Sequence, residues 1–393
     1  MVPTYDVVVA GGGPAGAATA LRLARAGHSV ALLERSRFER PRVGETLAPS
    51  IQPLLRELGL WSRFVAAGHL PSWGTRSLWS GPAAEHSHLM SGYDSGWHVD
   101  RLTFDRMLFD AAGEAGVSTY LGSSLSSCAY DGTWRLACSD GSRLSARALI
   151  DATGRSATIG RSLGARRIAF DRLVGITTRW DGVEVANEQY LLIEAAAHGW
   201  WYTAPLPDNA LIAMLITDTD LSRHYHLATS TGWTSHLDTT TATAHRLHTA
   251  GALPPDPGGT APTASSAHST APRPSCSGGP APRVYSAASQ RLIRPDDFRP
   301  WLAVGDAALA VDPVSGSGVP RALRTAEAAA EAVTRLLAHP TDPGPITTYE
   351  SDRNTECTTY LTTRATYYNA AAHHPTPFWT RRQTPVPRVV EYG

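Results

Sequence analysis

The sequence predicts an α/β fold in which a parallel, helix-flanked sheet carries an inserted antiparallel sheet. Three observations predict it. In "VVVAGGGPAGAATALRLARAGHSVALLER", Val7 to Arg35, an apolar run, a glycine knot, an alanine-rich helix and a second apolar run follow one another. From Leu173 to Asp218, strand-like runs succeed each other with no helical period between them. A late stretch, "RPWLAVGDAALAVDPVSGSGVPRAL", Arg299 to Leu323, reads as strand, turn and helix. At 393 residues the chain is long enough for two packed lobes.

The elements follow in order. Val7 to Ala10 is apolar and mostly β-branched, as a strand buried on both faces of a parallel sheet should be. Pro14 to Arg25 has helical spacing, Gly27 ends it, and Ser29 to Leu33 completes a β-α-β unit. Ile51 to Leu58 and Phe104 to Glu114 read as amphipathic helices, and Trp61 to Trp97 between them as irregular or short-stranded. "TWRLACSDGSRLSARALIDATG" gives strands joined by a turn at Asp140 and Gly141 and ends in an apolar strand, Ala148 to Ala152. The runs "LVGITTRW", "EQYLLIEAA", "HGWWYTAPLP" and "LIAMLITD" form the antiparallel insert. Gly251 to Pro282 is rich in Pro, Ser, Thr, Ala and Gly, buries little surface and is expected to be a loose loop. A strand at Trp301 to Gly305, a helix from Gly318 to about His339, and a helix around Ile346 to Ala370 before a Pro-rich tail complete the reading.

Composition narrows the function. The 35 basic residues, all arginine, balance 35 acidic ones, so no net field draws in nucleic acid or an anionic membrane, and neither is expected as a partner. Cys128, Cys138, Cys276 and Cys357 lie far apart without a C-x-x-C pair, so neither a metal site nor a disulfide framework is expected. The start shows no basic-then-apolar leader and no run reaches a membrane span's length, which predicts a cytoplasmic protein.

Gly11-Gly12-Gly13-Pro14-Ala15-Gly16 contains G-x-G-x-x-G between a strand and a helix. Gly11 permits the tight turn, Gly13 lets a pyrophosphate approach the backbone, and Gly16 lets the helix pack on the sheet, so that the anion sits on the helix N-terminus beside Pro14 and Ala15. Glu34, followed by Arg35, ends the second strand, where an acid accepts hydrogen bonds from an adenosine ribose and favours FAD or NAD over NADP. The chain shows no second G-x-G-x-x-G unit.

The late stretch, with a strand ending in Gly305-Asp306 and then Pro313 and a glycine-rich turn, resembles the second FAD-binding motif of flavoprotein monooxygenases of the p-hydroxybenzoate hydroxylase type. The resemblance implies that Asp306 holds the ribityl chain, that Pro313 and Val314 border the isoalloxazine, and that the backbone of Gly316, Ser317, Gly318 and Val319 stabilises charge on the reduced flavin. "RVGETLAPSI", with Arg42, Glu45 and Thr46, is similar to the family segment that passes the flavin. "HVDRLTFDRMLFDAA" carries Arg101 in the family's arginine-then-Phe-Asp helix, and "LIDATGRSATIGRSLG" carries Asp151 and Gly154 near the pyrophosphate, with Arg161 in the late arginine position. A Rossmann-like FAD-binding domain with an inserted antiparallel β-sheet substrate domain is implied. FAD-binding parts fall at 1–80, 101–170 and 286–345, substrate parts at 81–100 and 171–285 with the loop at 251–282, and a C-terminal helix and tail at 346–393.

Within this superfamily, "GETLAPSIQPLLRELGLW", "GWWYTAPLP" and "YYNAAAHHPTPFWTRR" resemble the flavoproteins that modify tryptophan in peptides or proteins during quinone-cofactor maturation. The resemblance implies hydroxylation of an aromatic, indole-like group, free or within a peptide or natural-product precursor, using FAD, O2 and electrons from NAD(P)H or a separate flavin reductase. Glu45, Trp200, Trp201, Tyr202 and Pro313 are the candidate catalytic residues; alternation on a strand sends either Trp200 and Tyr202 or Trp201 toward the flavin. His98 and His198 are candidate proton carriers. The alternatives are a tryptophan-halogenase-like enzyme, a reductase of the same fold, or a non-catalytic FAD-binding maturation partner. Halogenases of the superfamily use a lysine, and this chain has none; the corresponding region reads "SWGTRSLW", where Arg76 holds its charge too firmly to replace it.

Overall fold

A computed structural model describes residues 2–88, 95–185, 188–253, 280–371 and 374–383. Two seven-stranded sheets carry the architecture. In the first, the order is Ser118–Leu121, Val30–Glu34, Thr4–Ala10, Arg143–Asp151, Trp134–Cys138, Leu125–Tyr130, and Trp301–Ala303 also joins Arg143–Asp151. The opening strand is parallel to both neighbours, with Val7 opposite Val30 on one side and Ala148 on the other. Alternation divides its side chains between two cores. Val7 and Val9 enter the one beneath the helices, while Val8 and Ala10 enter the other with Leu149 and Trp301.

Arg143–Asp151 changes partner along its length. Its first residues pair antiparallel with Trp134–Cys138, and its last three pair parallel with Trp301–Ala303. That switch brings the late motif alongside the early one, so both turns leave the same carboxyl edge of the sheet, where open α/β sheets place their ligands. Helix Pro14–Arg25 packs against helix Gly318–Ala338. Ala17, Ala18, Ala326, Ala329 and Ala330 share the core there, and small side chains let helix axes approach closely. The long helix Gly344–Ala370 is tied to the same edge by Tyr349, whose hydroxyl donates to the Ala303 carbonyl at 2.8 Å.

The second sheet runs Arg283–Ser286, Leu173–Asp181, Ala210–Asp218, Gly199–Leu206, Tyr190–Ala196, Gly74–Leu78, Ala84–Ser87. Its pairs are antiparallel except Tyr190–Ala196 with Gly74–Leu78. The four runs expected from Leu173 to Asp218 are therefore its centre. The α/β fold with an antiparallel sheet is the observed one.

Three features differ from the sequence reading or add to it. Trp61–Ala66 is a helix: Trp61 stacks on Phe64 one turn on, and Phe64 meets Trp97 and Phe104 edge-on, so local aromatic packing overrides a composition without helical pattern. Gly74–Leu78, assigned with residues 1–80 to the first lobe, is hydrogen-bonded into the second sheet. Helices Thr219–His224, Ser230–Leu237 and Ala242–Thr249 follow that sheet, and Leu227, Trp233, Leu237 and Leu247 cover its outer face with Trp180, Trp201 and Leu215. The loop expected over 251–282 lies outside the described residues except at 251–253 and 280–282, as do Cys276 and the tail from 384. Among the described residues no helix is long and apolar enough to cross a membrane.

The β-α-β packing rests on Gly16. A Cβ there would stand 1.8 Å from the Gly11 carbonyl oxygen and 2.8 Å from the Ala152 Cβ. Gly16→Ala should therefore destabilise the fold by about 1–3 kcal/mol or more, measured as a lower denaturation midpoint; an unchanged midpoint would contradict the close helix–sheet contact.

Candidate active site

Both motif turns open into one cavity of about 800 Å3, near the upper end of the volumes usual for small-molecule sites. Gly13 is the N-cap of Pro14–Arg25 and Ser317 that of Gly318–Ala338, and no side chain caps either end. First-turn N–H groups have no partner inside their helix. Each end therefore offers bare donors, and the dipole adds roughly 0.3–1 kcal/mol for an anion placed there. The turns touch: a Cβ on Gly305, whose φ is +60°, would meet the Ala15 Cβ at 2.6 Å.

Gly13, Gly154, Gly316 and Gly318 lie on the cavity wall, and a Cβ at any of them would meet nothing within 4 Å. This is a cradle of exposed backbone, which a pyrophosphate and a flat ring can approach closely. Pro14, Ala15, Pro313, Ser317 and Val319 complete its rim. Arg42 and Arg101 line the same end and share the buried Asp105, at 2.7 Å from Arg42 and 3.0 Å from Arg101. Arg101 also donates to the carbonyls of Val43 and Gly44, which fixes the segment bearing Glu45 and Thr46. Asp306 lines the cavity and pairs with Arg155 at 3.3 Å. The residues present fit FAD: two uncapped helix ends, side-chain-free backbone and arginines lining one cavity.

Several expected residues act from elsewhere. Gly11, Gly16 and Gly305 shape the turns from behind the wall. Glu34 is buried off the cavity, accepting from the Gly12 N–H at 2.8 Å and from Ser36, with Arg42 at 3.1 Å. Arg35 is exposed and does not line the cavity. Asp151 is fully buried and its carboxylate is consumed locally: one oxygen accepts from the Thr153 N–H and hydroxyl, the other from the Gly160 N–H at 2.7 Å. It holds the turn that presents Gly154 instead of contacting a ligand. Arg161 is exposed, and Arg155 reaches the cavity in its place, braced by the Ala288 and Val311 carbonyls. Two arginines in one motif gave the sequence no means of choosing between them.

Another part of the wall is aromatic and apolar. Trp200 and Tyr202 face the cavity with Trp79, Ile193, Met214 and Ile216. Trp201 is turned to the opposite side of the sheet, fully buried against Trp233 with ring centres 5.0 Å apart, so it is a core residue and not a catalytic one. His198 lies outside the cavity, stacked on Tyr225. Thr75 and Ser77 line the cavity, while Arg76 between them pairs with Glu85 and Glu188 and lies over the Tyr190 ring.

Behind this part of the wall lies a buried network that the sequence reading missed. The Trp200 indole N–H donates to the Tyr368 oxygen at 3.1 Å, and the Tyr368 hydroxyl donates to Asp312 at 2.7 Å. Burial raises the Asp312 carboxyl above the usual range. Trp79 packs edgewise on Trp379 at 5.2 Å, and the neighbouring Arg382 forms a buried ion pair with Asp218 at 2.6 Å. The motif "YYNAAAHHPTPFWTRR" was the available signal, but nothing in it pointed to Asp312.

Two titratable groups flank Tyr202. Burial pushes the Glu45 carboxyl up to about 7, although the Gly44 N–H donates to it at 2.8 Å. Burial also pulls His98 down to about 3, leaving a neutral imidazole. Among the described residues no group of three or more His, Cys, Asp or Glu could hold a metal.

The FAD binding domain family matches residues 4–253. The chain belongs to this family. It is an FAD-dependent oxidoreductase of the monooxygenase and halogenase superfamily. It is 30% identical over 403 residues to LodB of Marinomonas mediterranea, named as an FAD-dependent oxidoreductase, covering 96% of this chain and 97% of that protein. It is 26% identical over 390 residues to the tryptophan 2-halogenase of Chondromyces crocatus, covering 96% of this chain and 70% of that one. In structure it is similar to the myxobacterial chondrochloren halogenase CndH, with TM-score 0.81 and 22% identity over 99% of this chain and 88% of that one. It is likewise similar to the peptidyl tryptophan dihydroxylase QhpG, with TM-score 0.73 and 24% identity over 98% and 79%.

Glu45 carries a pH consequence. Its folded value of about 7 lies above the ordinary 4.5, so its contribution to stability is complete below 4.5 and is lost as pH rises through 7. In FAD-free protein, stability relative to Glu45→Gln should fall by up to roughly 3 kcal/mol across that window, measured by denaturant unfolding at several pH values. A pH-independent difference would contradict the buried carboxyl.

Proposed function

We propose that the protein is an FAD-dependent monooxygenase that hydroxylates an aromatic group, tryptophan or another indole, carried by a small molecule, a peptide or a natural-product precursor. The observation that carries this reading is the continuity of one cavity, from bare glycine backbone and arginines to a chamber walled by Trp79, Trp200 and Tyr202, in a chain without lysine. The first sheet and its helices serve the cofactor. The second sheet, with Gly74–Leu78 included, roofs the substrate.

In this reading Gly13, Pro14, Ala15, Arg42 and Arg101 hold the pyrophosphate, Glu34 orders the turn at the adenosine end, and Asp306 holds the ribityl chain. Pro313 and the backbone of Gly316 to Val319 border the ring. Bound FAD, reduced by NAD(P)H or by a separate flavin reductase, supplies the activation of O2. The chain's own side chains do the rest. Trp79, Trp200, Met214 and Ile216 exclude water and orient the aromatic ring. Glu45, held near neutrality, takes up or releases a proton at its carboxyl oxygen in the chamber.

A second reading, halogenation, is favoured by the names of the relatives. Against it stands the missing lysine; Arg76 in the corresponding strand is turned away and ion-paired. FAD-loaded protein, photoreduced and mixed with labelled O2, bromide and a tryptophan-containing peptide, should give a product carrying labelled oxygen. Brominated product without label would establish halogenation instead. Oxygen consumption with neither product would leave the non-catalytic partner.

A further inference from the structure

We propose that Tyr202 selects the aromatic substrate by its ring N–H, acting as a hydrogen-bond acceptor whose direction is imposed by Gln189, His98 and Thr46. The inference rests on the aromatic-substrate reading above and adds to it the feature that is recognised. The Tyr202 oxygen is 2.8 Å from the Thr46 hydroxyl, which is 3.0 Å from His98 Nδ1, and His98 Nε2 is 3.2 Å from the Gln189 carbonyl oxygen.

The direction of each bond follows from the far end inward. A carbonyl oxygen only accepts, so His98 Nε2 carries a hydrogen. His98 is completely buried, and Arg246 and His88 nearby oppose a positive charge on it, so the ring is neutral and Nδ1 is a bare acceptor. Thr46 has one hydrogen and must donate it to Nδ1. The bond between Thr46 and Tyr202 is then made by the phenol hydrogen. Tyr202 has spent its only proton inward, the Thr46 backbone N–H takes one acceptor position on its oxygen, and one lone pair is left for the chamber it lines.

The tryptophans of the wall do not compete for that acceptor. The Trp200 N–H is engaged by Tyr368, and the Trp79 N–H donates to the Tyr367 carbonyl at 2.7 Å. A donor on the substrate is the complement, and among planar aromatics the N–H of a five-membered ring supplies one where a furan oxygen does not. A buried acceptor left unpaired by the wrong ligand penalises that ligand, which is the basis of hydrogen-bond selectivity. Tyr202 is thus a specificity-determining residue, and Thr46 and His98 are positioning residues.

The test compares indole with benzofuran, which has the same shape but oxygen in place of N–H, by perturbation of the flavin absorbance of the FAD-loaded oxidised protein. Indole should bind roughly tenfold or more tightly. Tyr202→Phe should bring the two within about twofold, and Thr46→Val, which keeps the phenol but frees its rotor, should cut the preference to roughly threefold. A purely structural role for these residues would weaken both ligands alike. Equal binding of the two by the unaltered protein, or a preference that survives Tyr202→Phe, overturns the inference while leaving the aromatic-substrate reading in place. If neither ligand perturbs the flavin, that reading falls and takes the inference with it.

Discussion

The side-by-side packing of helices Pro14–Arg25 and Gly318–Ala338 is the contact on which the rest of the structure depends. Each helix alone presents an uncapped N-terminus of modest electrostatic strength. Packed together through alanines, with Gly305 against Ala15, they direct two sets of bare N–H donors into one cavity. The arginines reinforce that end, because the single carboxylate of Asp105 ion-pairs with both Arg42 and Arg101, holding them in place while leaving a net positive charge. An extended dinucleotide needs such a two-ended grip, since one helix terminus reaches only the phosphates.

The second sheet solves a different problem. In the proposed function the chamber must be apolar to hold an aromatic ring away from water, yet it needs a few fixed polar points to orient its contents. Strand Gly199–Leu206 meets both demands by alternation, with Trp200 and Tyr202 facing inward and Trp201 seated in the outer core. The polar points are fixed from behind: Tyr368 and Asp312 hold the Trp200 indole, and Thr46 and His98 hold the Tyr202 phenol. Neither ring is free to turn its polar atom.

How much of this was legible depended on whether the signal was local. The β-α-β unit, the late strand-turn-helix and the four central strands of the second sheet have their causes in contiguous residues, and they stand where the sequence put them. Facing direction is not local: period-two alternation narrows the inner side to two choices at Trp200 to Tyr202, and only the helices packed on Trp201 decide between them. Asp151 illustrates the same limit. Its motif places it beside the nucleotide, but the Thr153 and Gly160 donors claim its oxygens first. Arg155 reaches the Val311 carbonyl and Tyr368 reaches Asp312 from distant parts of the chain, and no spacing rule joins them. His98, buried on the short strand Gly96–His98, sits between the Thr46 hydroxyl and the Gln189 carbonyl, and only such neighbours, distant in sequence, define its tautomer.

The C-terminal segment closes the chamber from behind, with Trp379 against Trp79, Tyr368 under Trp200, and Arg382 pinned to Asp218. During synthesis the strands that line the chamber emerge well before those residues do, so its aromatic wall stands unsupported until they follow. In the order in which this chain is made, both ends of the cofactor cradle, at Gly13 and at Gly316 and Gly318, precede the residues that make the chamber watertight.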